Sequence, residues 1–379
     1  MEILNILTGF GGSAFQYVFG FISVLMVIVF VHEMGHFLVA RWCNVRIEAF
    51  SIGFGKELWG FTDKKQTRWK LCLIPLGGYV KFWGDTNEAS FADQDAANHM
   101  SDEDKKVYFQ LKPLWQKAAI VVAGPVANFI FAVAIFTVFL MSIGQPFISP
   151  RVDDVQVGGA AESAGIQSGD VIAQINGNEI NSFNDLQKYI MFNPDKQISI
   201  TVTRQLESLT LSLTPKPFVF KDKYGNEQTI GRIGIIHNSS ADERQFRTLS
   251  LPDALSKGSS EVWFIIKQTL ITIKDLFVGK GDIKQLGGPV KIAQTSGQLA
   301  SEGILPLVRL AALLSVGIGL FNLFPIPMLD GGHLVFYLIE ALIGKPLPPK
   351  YMEYAMRIGV TLLLSFFVFV TINDIISIL

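Results

Sequence analysis

The chain has 379 residues, of which 49% are hydrophobic and only 17% are charged, a composition too apolar for an ordinary soluble protein of this length. Its 32 lysines and arginines balance 33 aspartates and glutamates, so the net charge is −1. We therefore expect no nucleic-acid partner, because no global field would attract one. Cys43 and Cys72 lack the spacing of a metal motif, and we expect two inert free thiols.

Four segments, at about 14–40, 118–143, 304–324 and 358–379, are long and apolar enough to cross a membrane. Basic residues concentrate in the link between the first two segments and in the link between the last two. By the positive-inside rule, both links lie in the cytoplasm, while both termini and the stretch 144–303 lie outside. The residues that carry this argument are Arg41, Arg46, Lys56, Lys64, Lys65, Arg68, Lys70 and Lys81, then Lys345, Lys350 and Arg357.

The first of these segments contains the pattern HExxH, from His32 and Glu33 to His36. Residues four apart share one face of a helix, so both imidazoles can reach one metal ion, and Glu33 lies beside them. Three ionisable side chains in an apolar span are costly unless they are paired or bound. A metal site is therefore indicated, and a proton relay or a structural polar cluster is the alternative.

The segment 67–81 is apolar but too short to cross a bilayer. We expect it to form a β-hairpin that dips into the membrane from the cytoplasmic side. Open strand edges are tolerated there only inside protein or beside water. An edge strand near the metal could pair with an extended peptide segment, and a structural plug is the alternative.

The stretch 144–303 is polar, and its short Val- and Ile-rich runs end in turn residues, as in 170–177. This pattern predicts a small α+β domain over 150–245. Residues 154–170 are similar to the strand, turn and short helix of bacterial PDZ domains, and 231–235 (GRIGI) resembles their carboxylate-binding loop. Ile233, Gly234 and Ile235 could then bind a peptide C-terminus, and a domain that acts only as a size filter is the alternative.

A helical pattern follows within 253–303, where Trp263, Ile266, Leu270, Ile273 and Phe277 recur opposite charged residues. It predicts an amphipathic helix that is too charged to span a membrane. This helix could lie on the membrane surface or pack against the outer domain, and the sequence leaves both open.

A catalytic zinc site usually takes three protein ligands, so two histidines require a third. The segment 322–333 reads NLFPIPMLDGGH, and its prolines break the third span where it reaches the inner side. Asp330 can then turn toward the interior at the depth of the histidines. His333 is the competing ligand, and we expect Glu340 at the cytoplasmic surface.

HExxH in a first span and NLFPIPMLDGGH in a later one together resemble the site-two protease family of intramembrane zinc metalloproteases. The closest branch is the regulator of sigma-E protease. The segments 53–55 (GFG) and 124–128 (GPVAN) agree with this resemblance. The best-known members carry two tandem PDZ domains, whereas this chain has room for one. The resemblance implies Zn2+ bound by His32, His36 and Asp330, Glu33 as the general base, and Asn322 and Asn128 near the substrate.

The implied fold is a polytopic α-helical membrane protein with four transmembrane helices, in domains 1–143 and 304–379. It carries a membrane-dipping β-hairpin and an inserted extracytoplasmic PDZ-like domain. By the same resemblance, the protein would be a multi-pass protein of the bacterial inner membrane, with the lipid bilayer as its surroundings.

The implied function is hydrolysis of peptide bonds in the transmembrane segments of single-pass proteins. The implied substrates are anti-sigma factors after a first external cut, and remnant signal peptides, in regulated intramembrane proteolysis and a stress response. A zinc or proton-coupled transporter is a rival, but we find no inverted repeat of the kind that would favour it. An inactive PDZ scaffold is a third possibility, and the intact Glu33 argues against it.

Overall fold

The computed structural model describes residues 2–84, 100–205, 207–221, 227–237, 245–279 and 287–378. The chain divides into two compact units. Met1–Thr137 and Leu255–Leu379 form the first, which we call the helical unit. Val138–Ala254 form the second, which we call the inserted unit.

The helical unit confirms the four predicted spans as four long apolar helices. They are α1 (Glu2–Trp42), α3 (Leu114–Ser142), α8 (Ile304–Asn322) and α10 (Pro349–Ile378). The stretches long and apolar enough to cross a membrane are Phe19–Trp42, Leu114–Ser142, Ile304–Asn322 and Lys350–Ile376. The other helices are α2 (Asp102–Val107), a 3-10 turn (Phe109–Leu111), α6 (Leu251–Phe277), α7 (Pro289–Glu302) and α9 (Asp330–Ile343).

Helix α6 packs along α3 and α8. Its Val262 is buried with Phe136 of α3 and Val316 of α8, and Gly258 lies close to the backbone of α3. Trp263, which the helical spacing assigned to the apolar face, is 66% exposed. The face of α6 that is buried therefore differs from the face that the spacing predicted. Contact of α6 with a membrane surface stays a prediction.

Two long strands, β1 (Ile47–Thr62) and β2 (Arg68–Phe82), follow α1. Both bend at glycines in the left-handed region, β1 at Gly53 (φ 85°) and Gly55 (φ 84°), β2 at Gly77 (φ 135°). Residues 47–52 pair on one side with 78–82, and residues 49–52 pair on the other side with 68–71. Residues 57–62 pair with 68–72. This corrects the predicted hairpin, because the two halves of 67–81 flank β1 and do not pair with each other. Entry of this sheet into the membrane stays a prediction.

The turn between β1 and β2 is fastened to the end of α1. Arg41 Nη2 donates to Asp63 Oδ2 over 2.6 Å and to Thr67 Oγ1 over 2.7 Å. Burial raises the pKa of Asp63, but donated hydrogen bonds from Thr67, Trp69, Lys65 and Arg41 outweigh burial and hold this pKa below its usual value. The network fixes the sheet against the helix that carries HExxH. The two cysteines, Cys43 and Cys72, are buried and free, and their lack of reactivity stays a prediction.

The inserted unit mixes strands and short helices. Its helices are α4 (Ala160–Ser163) and α5 (Phe183–Met191). A four-stranded sheet has the order β6 (Asn178–Glu179), β5 (Val171–Ile175), β7 (Ile198–Arg204) and β8 (Glu207–Leu213). Three antiparallel pairs join β3 (Gln145–Phe147) to β12 (Gln245–Arg247), β4 (Asp154–Val155) to β11 (Ile235–Ile236), and β9 (Lys216–Lys221) to β10 (Glu227–Arg232).

Alternation along β7 explains the core of this unit. Ile198, Ile200 and Val202 point inward and are buried, while the residues between them are half-buried. They pack with Leu186 and Ile190 of α5. Each fully buried side chain of this size contributes about 1.5–3 kcal/mol. The strands predicted from Val- and Ile-rich runs are therefore the ones that form the core.

A buried carboxylate of the inserted unit is paired with a partly exposed arginine. Asp170 is fully buried, and it accepts from Arg204 Nε over 2.7 Å, from Arg204 Nη2 over 2.8 Å and from the Gln167 amide over 2.9 Å. Burial raises the pKa of Asp170, but these donors and the charge of Arg204 outweigh burial and hold this pKa below its usual value.

Candidate metal centre

The HExxH pattern lies on α1, and its two histidines face the same way. Their spacing of four places one imidazole a turn above the other, with ring centroids 4.8 Å apart and rings at 86°. The Nε2 atoms of His32 and His36 are 3.2 Å apart. Both rings therefore offer Nε2 to a common point.

The third polar group is the carboxylate of Asp330, the first residue of α9. Asp330 Oδ2 is 3.2 Å from His32 Nε2, and Asp330 Oδ1 is 3.6 Å from His36 Nε2. The two glycines that follow make this placement possible. A Cβ on Gly331 would lie 2.2 Å from the Phe324 carbonyl oxygen, and one on Gly332 would lie 2.4 Å from a neighbouring carbonyl. Only glycine allows the first turn of α9 to pack so closely on the preceding turn.

These three residues fit a zinc ion. Ligands about 2.0–2.1 Å from tetrahedral zinc lie about 3.3 Å from one another, and the three separations here are 3.2, 3.2 and 3.6 Å. Asp330 Oδ2 is buried without a hydrogen-bond partner in the described part of the chain. A shared cation would satisfy it. His32, His36 and Asp330 thus form a group able to hold a metal.

Helix α3 lies directly behind the histidines. A Cβ on Gly35 would lie 2.3 Å from the Ala123 carbonyl oxygen, and one on Gly124 would lie 2.3 Å from His36 Nε2. These glycines let α1 and α3 approach to backbone contact. His36 Nδ1 is then 2.8 Å from the Ile120 carbonyl oxygen. The sequence reasoning missed this contact, although two glycines inside apolar helices were the signal available for it.

A cavity of about 460 Å³ opens onto the metal-binding residues. Glu33, Asn322 and His333 line it, together with part of β2 from Gly78 to Phe82. His333 therefore lies near the three residues that could hold a metal but outside that group, and the choice of Asp330 over His333 as third ligand stays a prediction. Asn322 borders the cavity while its Nδ2 donates to the Ile318 carbonyl over 3.1 Å.

Asn128 lies beside His32 but away from the cavity. It is fully buried on α3, with Nδ2 3.5 Å from His32 Nδ1. Unlike Asn322, it does not border the cavity. The two asparagines that the resemblance grouped together thus occupy different surroundings.

Glu340 is buried within the protein, while its location at the cytoplasmic surface of the membrane stays a prediction. It is buried near the end of α9, with Oε2 3.5 Å from Lys117 Nζ, and its Oε1 accepts from the Leu347 amide over 3.0 Å. Lys117 Nζ also lies 5.1 Å from the centre of the Tyr337 ring. Two opposite charges can be buried together when each compensates the other. Lys117 is far from Glu340 in the sequence, so the sequence alone did not predict that they pair.

The loop predicted to bind peptide lies in the inserted unit. Gly234 has a φ of 83°, which favours glycine. Ile233 and Gly234 border a cleft of about 250 Å³, although the Ile233 side chain itself belongs to the core. Ile235 begins β11 and pairs with Val155. Peptide binding by these three residues stays a prediction.

Comparison with known proteins agrees with this geometry. The sequence matches peptidase family M50 over residues 20–366. A predicted zinc metalloprotease of Agrobacterium fabrum is 45% identical over 376 residues, which cover 99% of this chain and 100% of that one. The metalloprotease MmpA of Caulobacter vibrioides is 38% identical over 373 residues, covering 93% of both.

The chain belongs to peptidase family M50, the site-two proteases. It is a zinc metalloprotease and a multi-pass membrane protein. Among solved structures, the PDZ domain of an SdrC-like protein from Listeria monocytogenes matches 23% of this chain and 88% of its own, at 19% identity and a TM-score of 0.18.

Proposed function

We propose that this protein is an endopeptidase that cuts inside the transmembrane segments of single-pass membrane proteins. The observation that carries the proposal is the location of the ligands. His32 and His36 lie within the apolar stretch Phe19–Trp42, with the cavity opening beside them. A protease for soluble segments would have no need to place its metal there, because polar groups in a span are costly.

The chemistry follows from the residues that line the cavity. Zinc, when bound, would supply a Lewis acid that lowers the pKa of water to about 7. Glu33 borders the cavity next to His32 and His36 and accepts the proton of the attacking water. It then returns that proton to the departing amine. Asn322 borders the same cavity and can hold the substrate backbone through its amide.

The sheet of β1 and β2 supplies a place for an unwound substrate. Residues 78–82 form an edge segment, since their described partners lie on one side only, at 47–52. The same segment lines the cavity, and a Cβ on Gly78 would lie 3.0 Å from Glu33 Cγ. A substrate helix hides its peptide groups until it unwinds, and an extended segment can pair with such an edge. We propose this role in preference to a plug.

The natural substrates we propose are anti-sigma factors after a first external cut, and remnant signal peptides, in regulated intramembrane proteolysis. The proposed location is the bacterial inner membrane, with both termini and the inserted unit outside. The basic residues between the first two spans and between the last two support this orientation.

We propose that the inserted unit acts mainly as a size filter. The alternative role is recruitment of substrates through a newly exposed C-terminus. Deletion of 152–236 should then allow cutting of a substrate that keeps its outer domain, whereas Gly234→Trp should leave the filter intact. If the deletion spares that substrate and Gly234→Trp blocks cutting of the trimmed one, recruitment is correct.

The test of the proposed function uses purified protein in lipid vesicles with a single-pass substrate of defined sequence. Mass spectrometry of the products locates the cut, and the Glu33→Gln variant serves as the matched control. We expect a cut within the apolar segment that the control does not make. Cuts confined to the flanking polar residues would overturn the proposal.

A further inference from the structure

We infer that Asn128 is a positioning residue, whose amide oxygen accepts the Nδ1 proton of His32 and fixes that imidazole with Nε2 toward the metal. This role differs from holding substrate, which the family resemblance suggested for Asn128. It rests on the arrangement of α1, α3 and α8 around one imidazole.

The first step concerns which nitrogen of each histidine binds the metal. A neutral imidazole that binds a metal through one nitrogen carries its proton on the other, and that proton is usually donated to an acceptor. His36 follows this rule, because its Nδ1 is 2.8 Å from the Ile120 carbonyl oxygen while Nε2 faces Asp330. His32 also presents Nε2 to Asp330, so its Nδ1 must carry a proton.

The second step concerns the acceptor for that proton. The Asn128 amide lies beside His32 Nδ1, with Nδ2 at 3.5 Å. An amide nitrogen cannot accept the proton, whereas the Oδ1 of the same amide is buried and has no partner in the described residues. The two ends of an amide are nearly equal in size, and a half-turn exchanges them. One half-turn therefore satisfies both the imidazole proton and the orphaned oxygen.

The third step concerns what holds Asn128 in place. Ser315 of α8 donates from Oγ to the Asn128 backbone carbonyl over 3.0 Å. A Cβ on Gly319 of α8 would lie 3.2 Å from Asn128 Cβ. Asn128 is fully buried and does not border the cavity, so a substrate would not reach its side chain. Helix α3 thus orients both histidines, through Ile120 for one and through Asn128 for the other.

The test compares three variants at this position with one at the cavity. Asn128→Leu and the smaller Asn128→Ala remove the acceptor, Asn128→Asp keeps an acceptor oxygen, and Asn322→Leu changes an asparagine that borders the cavity. For each full-length protein, zinc affinity is measured by chelator competition. The visible spectrum of the Co2+ form, the melting temperature without metal, and KM are measured on the same preparations.

We expect Asn128→Leu and Asn128→Ala to weaken zinc binding about 10- to 100-fold, the usual effect of losing such a partner, with KM unchanged. Asn128→Asp should keep zinc affinity within a few-fold and keep the Co2+ spectrum. Asn322→Leu should raise KM with zinc affinity unchanged. Full zinc affinity with a raised KM in Asn128→Ala would show that Asn128 holds substrate. Equal loss of zinc in Asn128→Ala and Asn128→Asp would show a packing role, and either result overturns the inference.

Discussion

A single methyl group at Gly124 should remove zinc without unfolding the protein. In Gly124→Ala, the added Cβ would lie 2.3 Å from His36 Nε2 and 2.9 Å from His32 Cε1. Ordinary carbon–nitrogen contacts begin near 3.4 Å, so the imidazole and the methyl group must separate by about 1 Å. Zinc sites tolerate about 0.2 Å in ligand distance, and the displaced nitrogen is then out of range.

The expected result is a loss of at least about 100-fold in zinc affinity, which corresponds to about 2.7 kcal/mol. Metal-free stability should fall by no more than about 2 kcal/mol, because overpacking costs about 1–3 kcal/mol while alanine exceeds glycine in helix propensity by about 1 kcal/mol. Gly317→Ala on α8 is the matched control, since no atom of the described residues lies within 4 Å of its Cβ position. Chelator competition and thermal unfolding give both quantities. Wild-type zinc affinity in Gly124→Ala would refute the close approach of α1 and α3.

Three further changes probe separate parts of the structure. Asp330→Asn should weaken zinc binding far more than His333→Ala in chelator competition, and the reverse order would show the wrong third ligand. Glu340→Gln leaves the buried Lys117 charge without its carboxylate partner and should lower the free energy of unfolding by about 3–5 kcal/mol, measured by thermal unfolding. A change below about 1 kcal/mol would contradict the assignment of Lys117 and Glu340 as a compensated ion pair. Asp170 has a lowered pKa in the folded protein. Its contribution to the free energy of unfolding is therefore complete above the unfolded-state pKa of about 3.9 and is lost as the pH falls through the pKa of the folded state. Hydrogen exchange in β5 and β7 should show this acid dependence, and Asp170→Asn should flatten it.

The parts of the site that follow from local spacing were readable in the sequence. His32 and His36 share a helix face because four residues make about one turn, and this holds in any helical context. Asp330 required one non-local argument, its depth in a broken span. The structure places Asp330 beside both histidines, and its role as the third ligand stays a prediction.

The parts that depend on close approach were not readable. The pairing of 68–71 and 78–82 with opposite sides of β1 depends on bends at glycines, and alternation alone cannot locate a bend. Trp263 is exposed although it is apolar. In a membrane protein, helical periodicity does not separate a lipid-facing surface from a protein-facing one. The contact of Asn128 with His32 joins residues distant in sequence, and no local pattern encodes it.

The central claim, that HExxH forms a zinc-dependent proteolytic site, is tested most directly by Glu33→Gln. Zinc content and cleavage of a single-pass substrate are measured on the same purified sample. Because Glu33 lies outside the group His32, His36 and Asp330 that could hold a metal, the variant should keep its zinc and lose cleavage by a factor of at least about 100, in the range of general-base catalysis. Undiminished cleavage by the Glu33→Gln protein would contradict the account.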